Sequence, residues 1–259
     1  MQEQSPKISI ITVCYNSEKT LEQTIKSVLK QKYGNLEYII IDGGSTDGTV
    51  DIIKKYENSI TRWISEKDDG ISDAFNKGIR MATGEIVGII NSDDSYCEGA
   101  FDKLASEYDK NVDIYRGAII LWNLETGSKV SETPTINMPL TGWKVNVCHQ
   151  GVFIRRDAYE RFGLFDVSLR YNMDFDLLLR FEHAGAKSKK IDYEMAYFTM
   201  SGITFSGFTR QQRIEMENII KKNGGNNIDI WRYRVIKYIK IIVKKTIGID
   251  QVLRIKNKR

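Results

Sequence analysis

Residues 36–49 read LEYIIIDGGSTDGT: an apolar run from Leu36 to Ile41, an acid at Asp42, then a chain of turn formers. A short, near-continuous apolar run closed by turn residues marks a strand covered on both faces, as in a parallel sheet. The same pattern stands upstream in KISIITVC, Lys7 to Cys14. Between the two, Ser17 offers a helix cap, and Leu21, Ile25, Val28 and Leu29 fall at i, i+4, i+7 and i+8. That spacing gives a helix with an apolar stripe to lay on the sheet. Beyond the turn, Val50, Ile52, Ile53 and Tyr56 form a second amphipathic segment. Alternating strands and helices imply a parallel sheet with right-handed crossovers. Ligands of such open sheets sit beyond the carboxyl ends of the strands, so the residues just after each strand matter most.

Further along, Arg62 to Ser65 reads as a short strand, Ser72 to Ala82 as a helix, and Glu85 to Ile90 (EIVGII) as a third apolar strand ending in Asn91-Ser92-Asp93-Asp94. Residues 113–131 suit a hairpin around Glu125-Thr126-Gly127. Gln150 to Ile154 is expected as a strand, Asp174 to His183 as a helix with Leu177, Leu178 and Phe181 inward, and Lys189 to Met200 as a strand region. Gly224-Gly225-Asn226-Asn227 is the one convincing break. It divides an expected domain, 1–225, from a basic amphipathic tail, 226–259.

With 259 residues, 41% hydrophobic and only three Pro, the chain fits a large α/β domain and neither disorder nor a collagen-like repeat. Cys14, Cys97 and Cys148 are odd in number and lack C-x-x-C spacing, which points to a reducing, cytoplasmic setting. No apolar stretch approaches the roughly 20 residues that span a bilayer, and residues 1–7 have no signal-peptide core. The formal charge of +4 is unevenly spread: residues 231–259 hold ten Lys and Arg against Asp250 alone, a local +9, which leaves −5 for 1–230. An acidic body argues against a nucleic-acid binder. Placed 100° apart, Trp231, Val235, Ile236, Ile239, Ile242, Val243 and Ile247 share one side of a helix; Arg234, Lys237, Lys240, Lys244 and Lys245 take the other. Such a helix suits an anionic membrane surface, at about 1 kcal/mol per basic residue. Docked on the body with its charged face in solvent, it has a second reading.

The strand ends carry Asn16, then Asp42 with Ser45 and Asp47, then Asp93 with Asp94. A carboxylate ending the second strand is placed to hydrogen-bond a nucleotide's ribose or base. G-x-G-x-x-G is absent, so phosphates need another partner, and Asp93 and Asp94 suggest a divalent cation, Mg²⁺ or Mn²⁺. Plainer roles exist: Ser45, Thr46 and Asp47 can cap a helix, Asp93 and Asp94 can form an exposed turn, and Asp174 and Asp176 can serve as first-turn acids. His149 and His183 are the only histidines, too little material for a Ser-His-Asp or two-His metal site.

Taken together, SIITVCYN, EYIIIDGGSTDGT and KDDGISDAFNKGIRMATGEIVGIINSDD resemble the nucleotide-sugar-binding half of bacterial glycosyltransferases of family 2. HQGVFIRRDAYERFGLFD and YNMDFDLLLR resemble the acceptor half, so the similarity covers about residues 7–205. The resemblance implies an α/β GT-A fold, with a Rossmann-like, mostly parallel central sheet flanked by helices. It implies that Thr12, Tyr15, Asn16, Asp42 and Ser45 line a nucleoside pocket, while Asp69, Gly70, Lys77 and Ser92 approach the nucleotide sugar. Asp93, supported by Asp94, stands where the family has its Asp-x-Asp metal motif; Asn91 departs from that pattern. Asp174 matches the general base, preceded by Met173 where a Glu is common. His149 and Gln150 match a contact to acceptor or phosphate. The implied reaction is an inverting, metal-assisted hexosyl or N-acetylhexosaminyl transfer from a nucleotide sugar, with a UDP-sugar the expected donor, to a glycan or lipid-linked acceptor at the inner face of the cell membrane. Two other functions compete: a non-catalytic nucleotide-sugar or glycan binder, which Asn91 favours, and nucleotidyl transfer, whose Gly-rich N-terminal signature is missing.

Overall fold

Four parallel strands carry the first third of the chain: β1 (Ile8–Cys14), β2 (Leu36–Asp42), β3 (Arg62–Ser65) and β4 (Ile86–Asn91), side by side in the order β3-β2-β1-β4. The computed structural model describes residues 5–138, 148–200 and 209–247. All of β1 is buried, which is what its unbroken apolar run requires. Its side chains alternate between two cores: Ile8 and Ile10 face one, Ile11 and Val13 the other. Register sets the functional edge, because Cys14 pairs with Asp42 on one side of β1 and Val13 with Asn91 on the other.

Beyond β4 the sheet becomes mixed. There β8 (Val152–Arg155) runs antiparallel to β4, β6 (Ile114–Trp122) antiparallel to β8, and β9 (Ser188–Thr199) parallel to β6. The short β5 (Ser95–Tyr96) pairs with β9, and β7 (Lys129–Glu132) closes the expected hairpin with β6.

On one face lie α1 (Leu21–Leu29), α2 (Thr49–Lys55) and α4 (Ala100–Ser106), which contribute Leu21, Ile25, Val28, Ile53, Phe101 and Leu104 to the core. The other face takes α3 (Ile71–Met81), α5 (Arg156–Phe162), α6 (Met173–His183), α7 (Arg210–Lys222) and the start of α8 (Asn227–Ile247). Helix α3 lies so close to β1 that a Cβ on Gly78 would stand 2.4 Å from the Ile11 side chain.

Several expectations change. Ser17 is not a side-chain cap: its carbonyl accepts the N–H groups of Thr20 and Leu21, while its hydroxyl turns to Ser92. The strand expected at Gln150 begins at Val152, because His149–Gly151 form a tight 3-10 turn. Three helices, α4, α5 and α7, had no counterpart in the expectation. The α8 helix begins beyond the Gly224 break, yet its Ile230 and Tyr233 are buried in the core beside Ile219 and Ile220 of α7. Residues 248–259 of the expected tail lie outside the described residues. Among the described residues no helix is long and apolar enough to cross a membrane.

Candidate active site

The turn after β2 is built around Asp42. Its carboxylate is fully buried and accepts the Ser45 N–H at 3.0 Å, the Ser45 hydroxyl, and the Ser65 hydroxyl at 2.6 Å. Cys14 lies beneath, its thiol 3.6 Å from Asp42 Oδ1; burial, then the Asp42 charge, pushes that thiol well above its ordinary range. Asp42 therefore shapes the loop from below instead of presenting a spare oxygen. Thr12 is corrected in the same sense, for it is buried with its hydroxyl 3.0 Å from Tyr38 OH. What the edge does expose is Tyr15, at 63%, and Asn16.

Asn16 sits at φ 49°, in the left-handed region that asparagine tolerates. From there its N–H reaches Ser45 Oγ at 2.8 Å, and its side-chain oxygen accepts the Thr46 N–H at 2.9 Å. Ser17 and Ser92 join hydroxyls at 2.8 Å, which ties the loop after β1 to the end of β4. Asp47 plays the plainer part, its carboxylate accepting from Thr49 at the start of α2 and from the Glu18 N–H.

Across the edge, Gly70 opens α3 at φ 111°, a conformation glycine adopts without strain, with exposed Asp69 just before it. Lys77, expected to approach a diphosphate, is engaged with Glu66 at 2.9 Å, with Asp73 at 3.4 Å and with the Lys67 carbonyl. The Glu66 hydrogen bond raises its pKa and keeps its proton on.

At the end of β4 the two aspartates separate. Asp94 is buried, and its oxygens accept the Thr199 N–H at 2.9 Å and Gln150 Nε2 at 2.7 Å. Burial, then the neighbouring Asp93 charge, pushes its carboxyl up to about 7. Gln150 is 1% exposed, so it props Asp94 and does not reach the edge as the expected acceptor contact. Asp93 is half-buried, its carboxyl raised by burial, and no cationic side chain among the described residues forms an ion pair with it. A carboxylate so placed fits one ligand of a Mg²⁺-type cation whose other ligands are phosphate oxygens and water. Among the described residues no three His, Cys, Asp or Glu gather into a standing metal centre.

His149 connects the two sides. Its Nε2 lies 3.3 Å from Asn91 Oδ1, its Nδ1 lies 3.9 Å from Asp174 Oδ2, and its ring leans on Phe75 at 5.2 Å between centroids. Asp174, in the first turn of α6, keeps 21% of its side chain exposed. Asp176 is fully buried against Arg180 at 2.8 Å. One carboxylate of this pair is thus accessible. Ser65, whose hydroxyl donates to Asp42, carried no signal of its own in the sequence.

The family model described as glycosyl transferase family 2 matches residues 9–163, well over half the chain. The chain belongs to that family. A "PGL/p-HBAD biosynthesis glycosyltransferase" of Mycobacterium bovis is 29% identical over 187 residues, 68% of this chain and 70% of the relative. An uncharacterized glycosyltransferase of Rickettsia typhi is 30% identical over 190 residues, 68% of this chain and 59% of the relative. Among solved structures, S. aureus TarS 1–349 in complex with UDP-GlcNAc superposes with a TM-score of 0.65 at 19% identity, covering 84% of this chain and 66% of TarS 1–349. The mannosyltransferase PcManGT of Pyrobaculum calidifontis, in complex with GDP-Man and Mn²⁺, gives 0.60 at 17%, covering 92% and 65%. At these identities the likeness shows the fold, which is GT-A. The family match takes in the loops after β1, β2 and β4; Asp174 lies beyond its end.

Proposed function

We propose that this family 2 glycosyltransferase moves a hexosyl or N-acetylhexosaminyl group from a UDP-sugar to a hydroxyl of a glycan or lipid-linked glycan, with inversion. The observation that carries the reading is His149, which touches Asn91 at the donor edge and Asp174 on α6 and so sets a carboxylate beside the strand ends. Support comes from the neighbours' ligands, UDP-GlcNAc in TarS and GDP-Man with Mn²⁺ in PcManGT. Tyr15 and Asn16 offer the nucleoside an exposed ring and loop, with Asp42 and Ser45 holding that loop from below. Asp69, Gly70, Lys77 and Ser92 surround the diphosphate. Asp174 accepts the proton of the acceptor hydroxyl as its oxygen bonds the anomeric carbon; the bond to the diphosphate breaks, and the nucleoside diphosphate leaves with the electron pair. His149 faces the acceptor beside Asp174. A divalent cation, Mn²⁺ or Mg²⁺, held by Asp93 with Asp94 behind it, would supply positive charge to that leaving group.

The enzyme works at an anionic membrane surface, which α8 meets through the exposed Ile228, Trp231, Tyr238, Ile239 and Ile242. The 226–259 segment is in this reading an appendage of the 1–225 domain that is anchored by Ile230 and Tyr233.

A panel of UDP-sugars with Mn²⁺ and a membrane extract, read by UDP release, identifies the donor. Asp174→Asn is expected to bind Mn²⁺-UDP as the parent does and to lose about 10²- to 10⁴-fold in transfer. Transfer by that variant within threefold of the parent would exclude Asp174 as the base.

A further inference from the structure

Glu215, on α7, is 3% exposed, and among the described residues no Lys, Arg or His forms an ion pair with it. A buried carboxylate without a counter-charge persists only when its oxygens are well hydrogen-bonded. Glu215 finds its partners in three consecutive backbone N–H groups: Arg170 at 3.1 Å, Tyr171 at 3.0 Å and Asn172 at 3.3 Å. Asn172 Nδ2 adds a contact at 3.4 Å and also donates to the Gln212 carbonyl at 3.0 Å. These three residues lead directly into α6, and Asp174 is the second residue of that helix. The positive end of the α6 dipole further favours the charge.

Asp174 itself is lightly held. Its Oδ1 accepts the adjoining Phe175 N–H at 2.8 Å, and its Oδ2 stands 3.9 Å from His149. Where its carboxylate points is therefore decided by where α6 starts, and Glu215 fixes that start from a separate helix.

We propose that Glu215 is a positioning residue for the reaction: by gathering the N–H groups of 170–172 it sets the first turn of α6 and aims Asp174 at the acceptor hydroxyl. This rests on the reading of Asp174 as the base. Among the described residues Glu215 makes no hydrogen bond to the donor side, built from β1, β2 and β4, so donor affinity should not depend on it.

The test uses the full chain with Glu215→Ala, Glu215→Gln and Asp174→Asn. Two readouts are taken: UDP release from UDP-GlcNAc with Mn²⁺, and backbone hydrogen exchange of residues 170–176. Glu215→Ala is expected to lower kcat about 10- to 100-fold, the scale of a small misplacement of a reacting group. KM for UDP-GlcNAc and Mn²⁺-UDP binding should stay within twofold. Glu215→Gln, which keeps one accepting oxygen, should recover part of the rate. Exchange at 170–176 should quicken at least tenfold in Glu215→Ala with β1, β2 and β4 still protected. Parent-like kcat in Glu215→Ala alongside an impaired Asp174→Asn overturns the positioning role and leaves the base intact. Parent-like kcat in Asp174→Asn overturns the base reading instead. Unchanged exchange at 170–176 overturns the proposal even where UDP-GlcNAc is not turned over, and a uniform loss of UDP binding and of protection everywhere reduces Glu215 to a folding role.

Discussion

Asn91 puts an amide at the end of β4, where a carboxylate would have added charge for a cation. Its oxygen is committed to His149 Nε2 at 3.3 Å, so the side chain ties the end of β4 to the turn before β8. Asp93 is left as the forward carboxylate, and one carboxylate holds a Mg²⁺-type ion weakly unless phosphate oxygens complete the shell. Mn²⁺ titration is therefore expected to show much tighter binding with UDP present than without it. Asn91→Asp should raise affinity in the UDP-free titration about tenfold, the scale of one added hard ligand; no change would show that position 91 lies outside the coordination shell. Individual site residues were legible in kind more than in posture. Asp42, Thr12 and Gln150 were all expected to face a ligand, and all three are buried. An acid before a turn can bond its own loop's N–H groups as readily as a ligand, and sequence does not separate the two.

At the scale of elements, Glu37 shows how the strands are fastened. It is 1% exposed on β2 and accepts from Ser9 of β1 at 2.6 Å and from both the N–H and hydroxyl of Thr83, which follows α3, with Lys7 at 3.4 Å. Burial opposes its charge, but these bonds prevail and hold its carboxyl down to about 2. A carboxyl with a lowered folded pKa adds stability above its ordinary pKa of about 4.3, and that stability drains as pH falls towards the folded value. Glu37→Gln should therefore unfold at lower urea than the parent at pH 7, with the gap narrowing between about pH 4 and pH 2. A gap independent of pH would remove the charge from the explanation. The apolar runs of β1, β2 and β4 announced themselves because both faces of each are covered. Helix α7 did not, since one of its inward positions is Glu215, and a polar side chain at a core position blurs a 3.6-residue pattern. The seven-residue α4 and α5 offered too few turns for periodicity to show.

For the molecule as a whole, α8 docks on the body by a face other than the apolar side read from the sequence. Ile230 and Tyr233 enter the core, and Arg234 holds Glu217 of α7 through two bonds at 2.8 and 2.7 Å. Meanwhile Ile228, Trp231, Tyr238, Ile239 and Ile242 form an exposed stripe at helical spacing. Replacing Trp231 and Ile239 by Ser, at 63% and 53% exposure, should leave the unfolding temperature almost unchanged. Co-sedimentation with phosphatidylglycerol vesicles should fall about tenfold or more, given the apolar area removed. Equal sedimentation of variant and parent would dismiss the stripe as a membrane face.

Cys14, sealed under the Asp42 turn, gives the edge formed by the ends of β1 and β2 a built-in gauge. Its sulfur is out of reach of alkylating reagents while that edge stays shut, so each molecule that becomes labelled there records one excursion in which the floor of the turn lifted. The rate of that labelling measures how often the native protein breathes where these two strands end.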